Sequence, residues 1–315
     1  METSTSSGNP LLDLSDNLAG IVERVGQRVV AVHGRRRLPS SGVIWRHGVV
    51  VTAAHTLRHE DGIKVTLADN RTVTAVLAGQ DTGTDLAVLK LDGIEIDPVE
   101  SGDAGSLKAG HLVLAVARAD GLGASADFGV VGAVGGPWRT WRTWRGGQLD
   151  AFVRLDGGLR PGFSGAALAD MRGQVVGICT SALARGAGIL IPATTVARVT
   201  DELLTKGHVS RGYLGVGTQP VELSEAWIKK MALSSDRGLL IVSLATNGPA
   251  EKAGILIGDV LIAMNDEPCR DFDDLHAVLS AERVGQPLKI TLIRGGERQE
   301  CAVILGERPQ RNACR

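Results

Sequence analysis

Short apolar runs separated by Gly, Asp and Asn dominate this chain from residue 48 to residue 181. Runs at 48–52, 64–67, 72–78, 86–91, 112–117, 129–134, 149–155, 166–169 and 175–181 read as strands, with Asp69-Asn70 as a turn between the second and third. That texture predicts an all-β region of barrel or sandwich type. The period changes after Pro192: Val196, Val199, Leu203 and Leu204 recur at helical spacing, and Gly207 after Lys206 is a natural stop. Beyond a linker at 208–211, strands at 214–218, 238–244, 260–264, 288–294 and 298–305 alternate with helices at 222–231, 249–253 and 271–281. These form a separate α+β module of ordinary small-domain size. The expected organisation is a disordered polar tail (1–16), an all-β domain (17–207), the linker, the module (212–308) and a tail (309–315).

Composition narrows the classes. The 34 Lys and Arg balance 35 Asp and Glu, so no global charge draws the chain to nucleic acid or an acidic membrane surface. No apolar run approaches the roughly 20 residues that a membrane-spanning helix needs. Met1 to Pro10 carry neither a basic start nor an apolar stretch of secretory type. The four cysteines form no CxxC pair or disulfide framework. Together these features lead to the expectation of a cytosolic protein.

Three polar residues carry the candidate chemistry. A serine hydroxyl is a weak nucleophile until an imidazole takes its proton, and the imidazole needs a carboxylate to fix its tautomer. His55 follows the run 49–54 at a strand end, Asp85 opens the strand 86–91, and Ser164 lies between glycines in Gly162-Phe163-Ser164-Gly165. The order His, Asp, Ser is that of chymotrypsin-type proteases. Backbone N–H groups of Gly162 and Ser164 would face a developing oxyanion. His55 and His59 are four apart, but no Glu stands beside His55, so a zinc site is not predicted, nor is any organic cofactor.

Val51-Thr52-Ala53-Ala54-His55, Thr84-Asp85-Leu86-Ala87-Val88-Leu89, Gly162-Phe163-Ser164-Gly165 and Ile191-Pro192 resemble the HtrA serine proteases. In that family a chymotrypsin-like domain precedes PDZ domains. Arg211-Gly212-Tyr213-Leu214-Gly215-Val216, the stretch from Gly248 to Gly254, and Gly258-Asp259-Val260-Leu261 resemble its PDZ domain. The resemblance spans about residues 17–306. It implies an all-β chymotrypsin-like double β-barrel followed by one α+β PDZ domain. It also implies His55 as general base, Asp85 as its orienter and Ser164 as nucleophile, in a homotrimer that degrades or processes unfolded proteins.

The departures are local. Phe163 replaces the usual Asn, Ala166 a second Gly, and Ala167 a frequent Pro. An Ala forced to positive φ would distort the turn by about 1 kcal/mol or more, and Phe163 would hold the oxyanion loop in an inactive shape. A catalytically silent scaffold of the same fold, binding peptides only, is the alternative.

The strand 188–192 would flank the primary specificity pocket. Ile189, Leu190 and Ile191 offer it no acid, so aliphatic residues are expected before the scissile bond. Tyr213, Leu214, Gly215 and Val216 would turn N–H groups to a peptide's C-terminal carboxylate, with Leu275 or His276 near its last side chain. The alternative is a module that only packs on the protease.

The segment from Trp138 to Arg145 holds three of the five tryptophans, Trp138, Trp141 and Trp144, at a period fitting neither helix nor strand. Balanced charge and shortness argue against nucleic acid or membrane. By resemblance it falls on the loop that senses the PDZ domain or its ligand, so contact with a domain or subunit is favoured over plain hairpin packing. Peptide binding is then expected to alter activity from a low resting level.

Overall fold

The computed structural model describes residues 9–35, 38–119, 123–140, 146–184, 186–279 and 283–308. The chain divides into two compact units, with the boundary between Val209 and Ser210.

The first unit opens with helix α1 (Pro10–Gly26). Strands β1 (Val29–His33), β2 (Ser40–Arg46), β3 (Val49–Ala53), β4 (Lys64–Thr66), β5 (Thr72–Asp81) and β6 (Leu86–Leu91) close a barrel in the order β1-β2-β3-β6-β5-β4. Next come β7 (Leu112–Ala117), β8 (Ser125–Gly135), the short pair β9 (Trp138–Arg139) and β10 (Gln148–Leu149), then β11 (Phe152–Leu155), β12 (Ala167–Ala169), β13 (Val175–Thr180) and β14 (Ile189–Pro192). All but the short pair close a second barrel, β11-β14-β13-β12-β7-β8.

Each barrel has its own apolar interior, built around Val30, Ile44 and Leu89 in the first and Val153, Leu168 and Leu190 in the second. A third apolar layer fills the seam, where Val43, Val51 and Val88 meet Val116, Ile178 and Ile191. Helix α2 (Ala193–Lys206) closes that seam with Val196, Val199 and Leu203, and Gly207 ends it in the left-handed conformation at φ 75°. Arg118 is buried in the first unit and donates to the carbonyls of Val29 and Gly26 at 2.8 and 3.0 Å. Burial lowers its pKa from the usual arginine value.

Several expectations are corrected. The tail expected over 1–16 is helical from Pro10, because Asn9 caps the Leu11 N–H at 3.1 Å and Pro10 suits the first helical turn. Ile21 and Val25 seat α1 on the seam. Strands β1 and β2 lie ahead of the first run that the sequence pattern marks as a strand. The run 149–155 is two strands, since the Asp150 N–H turns away to the Thr195 hydroxyl at 3.0 Å.

The second unit contains β15 (Gly212–Tyr213), β16 (Val216–Glu222), α3 (Glu225–Met231), β17 (Arg237–Leu244), α4 (Pro249–Lys252), β18 (Val260–Met264), β19 (Glu267–Pro268), α5 (Phe272–Val278), β20 (Pro287–Arg294), β21 (Glu297–Ile304) and β22 (Gly306–Glu307). The main sheet runs β16-β17-β18-β20-β21, which leaves β16 at an edge. Leu239, Ile241, Ile290 and Leu275 fill its core, while Trp227 and Ile228 of α3 cover Ile262 and Ile293 on the other face. The strand expected at 214–218 begins only at Val216, because Gly215 has φ 80°. Ser224 caps α3, which starts at Glu225 rather than 222. The helix expected over 271–281 ends at Val278, and 280–281 lie outside the described residues. No helix among the described residues is long and apolar enough to cross a membrane.

Candidate active site

Strand register assembles the site. β3 pairs β6 with Ala53 opposite Leu86, so the residues just past one strand and just before the other become neighbours. His55 and Asp85 occupy those places. The His55 Nδ1 lies 2.7 Å from Asp85 Oδ2, and the His55 N–H donates to Asp85 Oδ1 at 2.9 Å. Asp85 is held by its own backbone too, with φ 61°, a left-handed conformation that Asp tolerates better than most residues. The Ala54 N–H donates to its carbonyl at 2.9 Å. Just upstream, the Asp81 carboxylate accepts from the Thr84 N–H and hydroxyl at 3.0 and 2.8 Å. Thr180, at the end of β13, donates its hydroxyl to Asp85 Oδ2.

Ser164 comes from the turn before β12 and is 8% exposed. Both left-handed positions of that turn are glycines, Gly162 at φ 90° and Gly165 at φ 88°. A Cβ on Gly165 would stand 1.9 Å from the Ser41 carbonyl oxygen, so only Gly fits. Ser41 ties the turn to the first barrel. Its hydroxyl donates to the Gly162 carbonyl at 2.9 Å, and its N–H donates to the Ser164 carbonyl at 3.2 Å. Among the described residues no backbone carbonyl accepts from the Gly162 or Ser164 N–H, so both remain open to an anionic oxygen.

Two expectations about this turn are corrected. Ala166 has no positive φ, because the turn places its left-handed residues at 162 and 165 instead. Its N–H closes the turn on the Phe163 carbonyl at 3.1 Å. Phe163 does not obstruct the oxyanion position, since its ring is 4% exposed and packs inside the second barrel. The Arg160 guanidinium lies 4.6 Å from that ring's centre and donates to Asp127.

The arrangement is incomplete in one respect. Among the described residues Ser164 Oγ bonds to Ser181 Oγ at 3.0 Å, and no hydrogen bond joins it to His55. Cys179, beside the turn, offers no rival nucleophile: burial, then the Asp127 charge, push its thiol up to about 12. No group of three or more His, Cys, Asp or Glu among the described residues is placed to hold a metal ion.

The other expected residues fall in different surroundings. Ile189, Leu190 and Ile191 are fully buried in β14, and Leu190 belongs to the interior that holds Phe163. Trp138 packs edge-on against Phe152 at 5.2 Å and joins the seam, with its indole N–H buried and unpaired among the described residues. That is packing within its own unit. Trp141 and Trp144 lie outside the described residues.

In the second unit Gly215 turns the chain ahead of the edge strand β16. The Leu214 and Gly215 carbonyls accept from Ala250 and Ala245 at 2.9 and 2.8 Å, while no carbonyl among the described residues accepts from their own N–H groups. Tyr213 and Val216 are half-buried. Leu275 packs in the domain core rather than on a free wall, and His276 beside it is half-buried.

Residues that the sequence reading missed are Ser41, Thr140, Thr180 and Ser181. Only Thr180-Ser181 left a trace, as a polar pair ending the apolar run from Val175 to Cys179.

Comparison with known proteins agrees with this fold. Residues 40–178 match the trypsin-like peptidase domain family and 212–305 the PDZ domain family. A protein of Pseudomonas putida named "Probable periplasmic serine endoprotease DegP-like" is 34% identical over 277 residues, covering 86% of this chain and 56% of that protein. A relative of the same name from Halomonas elongata is 32% identical, covering 87% and 57%. The chain thus spans about half the length of the relatives it matches. Among solved structures, the HtrA-type protease AlgW with decapeptide superposes with a TM-score of 0.74 at 26% identity, covering 93% of this chain and 99% of that one. The serine endoprotease from Yersinia pestis gives 0.73 at 26%, covering 92% and 98%.

These names overturn the cytosolic expectation, since the relatives are called periplasmic. The first ten residues and the sparse cysteines carried that expectation, and neither feature distinguishes the compartments.

Proposed function

The chain belongs to the HtrA-type, DegP-like serine proteases, and from that premise we propose that it is a serine endopeptidase of the periplasm acting on unfolded proteins. Ser164 Oγ attacks the scissile carbonyl while His55 Nε2 takes its proton. Asp85 keeps the other imidazole nitrogen protonated and stabilises the imidazolium. The N–H groups of Gly162 and Ser164 hold the oxyanion, His55 returns the proton to the leaving amine, and water releases the acyl group by the same route.

The observation that carries this reading is the 2.7 Å contact of His55 Nδ1 with Asp85, beside a serine turn whose two amides meet no backbone carbonyl among the described residues. It favours an enzyme over a silent scaffold. A fluorophosphonate probe with casein digestion tests it. Labelling should map to Ser164, and Ser164→Ala should lower casein turnover by about 10³-fold or more while leaving the fold intact. Unchanged turnover in that variant would overturn the assignment.

Strand β14, with Ile189, Leu190 and Ile191, carries no acidic side chain to pair with a Lys or Arg, which supports cleavage after small or medium aliphatic residues. Mass spectrometry of casein fragments checks this, and a majority of cuts after Lys or Arg would refute it. In the PDZ domain a C-terminal peptide adds as a strand to β16, with its carboxylate on the Leu214 and Gly215 amides and its last side chain near His276. The segment from Trp138 to Arg145 relays that binding to the protease, in an assembly of three chains.

A further inference from the structure

We propose that Ser181 is a positioning residue that parks the Ser164 hydroxyl away from His55 and so sets a low resting activity. The proposal rests on Ser164 being the nucleophile. Ser164 Oγ lies 3.0 Å from Ser181 Oγ, and the Ser181 N–H donates to the same Ser164 Oγ at 3.4 Å.

Both partners stand on fixed backbone. Ser164 sits in the turn that Ser41 and the two left-handed glycines hold. Ser181 follows Thr180, whose hydroxyl donates to Asp85 and accepts from the Ala182 N–H at 3.0 Å. Thr180 thus ties the backbone on both sides of Ser181 to the carboxylate beside His55, which keeps the two serines within reach of each other.

The contact opposes catalysis whichever hydroxyl donates. If Ser164 donates, its only proton points at Ser181 and cannot pass to His55 Nε2. If Ser181 donates, Ser164 Oγ accepts from both the hydroxyl and the N–H of Ser181. Both lone pairs are then occupied, and none is free to attack a carbonyl. Attack requires Ser164 to rotate out of this contact, and the net strength of one such hydrogen bond sets the population that has done so. Among the described residues Phe163 is buried and no backbone carbonyl accepts from the oxyanion amides, so among them this contact is what favours rest.

The test is the rate of fluorophosphonate labelling of the full chain, with the labelled residue identified by mass spectrometry. Ser181→Ala should label Ser164 about 2- to 10-fold faster than wild type, the range expected from removing one net hydrogen bond. Its kcat for casein peptides should rise by a similar factor with KM unchanged. Ser181→Thr keeps the hydroxyl and should behave as wild type, which a merely structural role of the side chain would not produce. If wild type labels at Ser164 and Ser181→Ala labels no faster, the parking role is overturned while the protease assignment stands. Labelling of Ser181 itself would also overturn the proposal. If neither protein labels, both readings fail together.

Discussion

Thr140 donates its hydroxyl to the carbonyl of Gly83 at 2.7 Å, directly upstream of Thr84 and Asp85. The same hydroxyl accepts from the Gly147 N–H at 2.9 Å, and Gly147 packs so closely that a Cβ there would stand 2.3 Å from the Gly83 backbone. Thr140 and Gly147, on either side of residues 141–145, are thus fastened to the turn that presents Asp85. Thr140→Val keeps the shape but leaves a buried carbonyl and N–H unpaired, at a cost of about 1–3 kcal/mol. We expect kcat on casein peptides to fall roughly tenfold with KM unchanged, by analogy with other small displacements of positioning groups. Thr140→Ser should restore it. A variant that loses stability but keeps kcat would break the link to Asp85.

Gly165→Ala should be nearly inactive. The new Cβ meets the Ser41 carbonyl oxygen at 1.9 Å and Thr52 Oγ1 at 2.8 Å, in a left-handed conformation that L-residues avoid. The turn must shift, which misplaces the Ser164 N–H, and loss of one oxyanion donor costs about 10²- to 10³-fold in kcat. Ala166→Gly supplies the contrast: without positive φ at 166, it should leave kcat within about twofold. Steady-state kinetics on both variants decide between them.

These two positions show where the sequence could be read and where it could not. His55 and Asp85 were legible because each borders an apolar run, and the pairing of those runs brings them together. Gly207 was legible because a helix stop is a local event. The strain expected at Ala166 was misplaced because the motif does not say which of its residues turns left-handed. β2 was hidden because its first residues, Ser40 and Ser41, break the apolar pattern, although both are buried where barrel and turn meet. Thr180 reaches Asp85 across 95 residues and Thr140 reaches Gly83 across 57, and no local pattern encodes such contacts.

Gly215→Val should abolish binding of C-terminal peptides while the PDZ domain stays folded. Gly215 has φ 80°, and a β-branched residue there would cost about 1–2 kcal/mol and turn the Leu214 and Gly215 amides off the carboxylate. Calorimetry with a decapeptide bearing a free carboxylate, and with its amidated form, measures this. The parent should bind only the free acid. Equal binding by the variant would mean that the carboxylate is held elsewhere.

The PDZ domain should lose stability in acid through Asp259. Its side chain is 2% exposed and meets Arg294 at 2.7 and 2.8 Å, and it also accepts from the Leu256 N–H at 2.8 Å. Burial pushes the carboxyl up, but the Arg294 hydrogen bonds, the Leu256 N–H and the Arg294 charge together pull it below its ordinary 3.8. A carboxylate with a depressed pKa in the fold contributes its stability above the unfolded value. That contribution is lost as pH falls through the folded value. Protection factors of amides in residues 212–305, taken against the intrinsic exchange rate at each pH, should therefore hold from pH 7 to about 4 and fall below it. Asp259→Asn removes the charge and leaves the partly exposed Arg294 without its carboxylate, a loss of about 1.5–3 kcal/mol on the scale of hydrogen bonds to a charged group. The variant should exchange faster at pH 7 and show a shallower acid dependence. An acid transition as steep as the parent's would place the responsible carboxylate elsewhere.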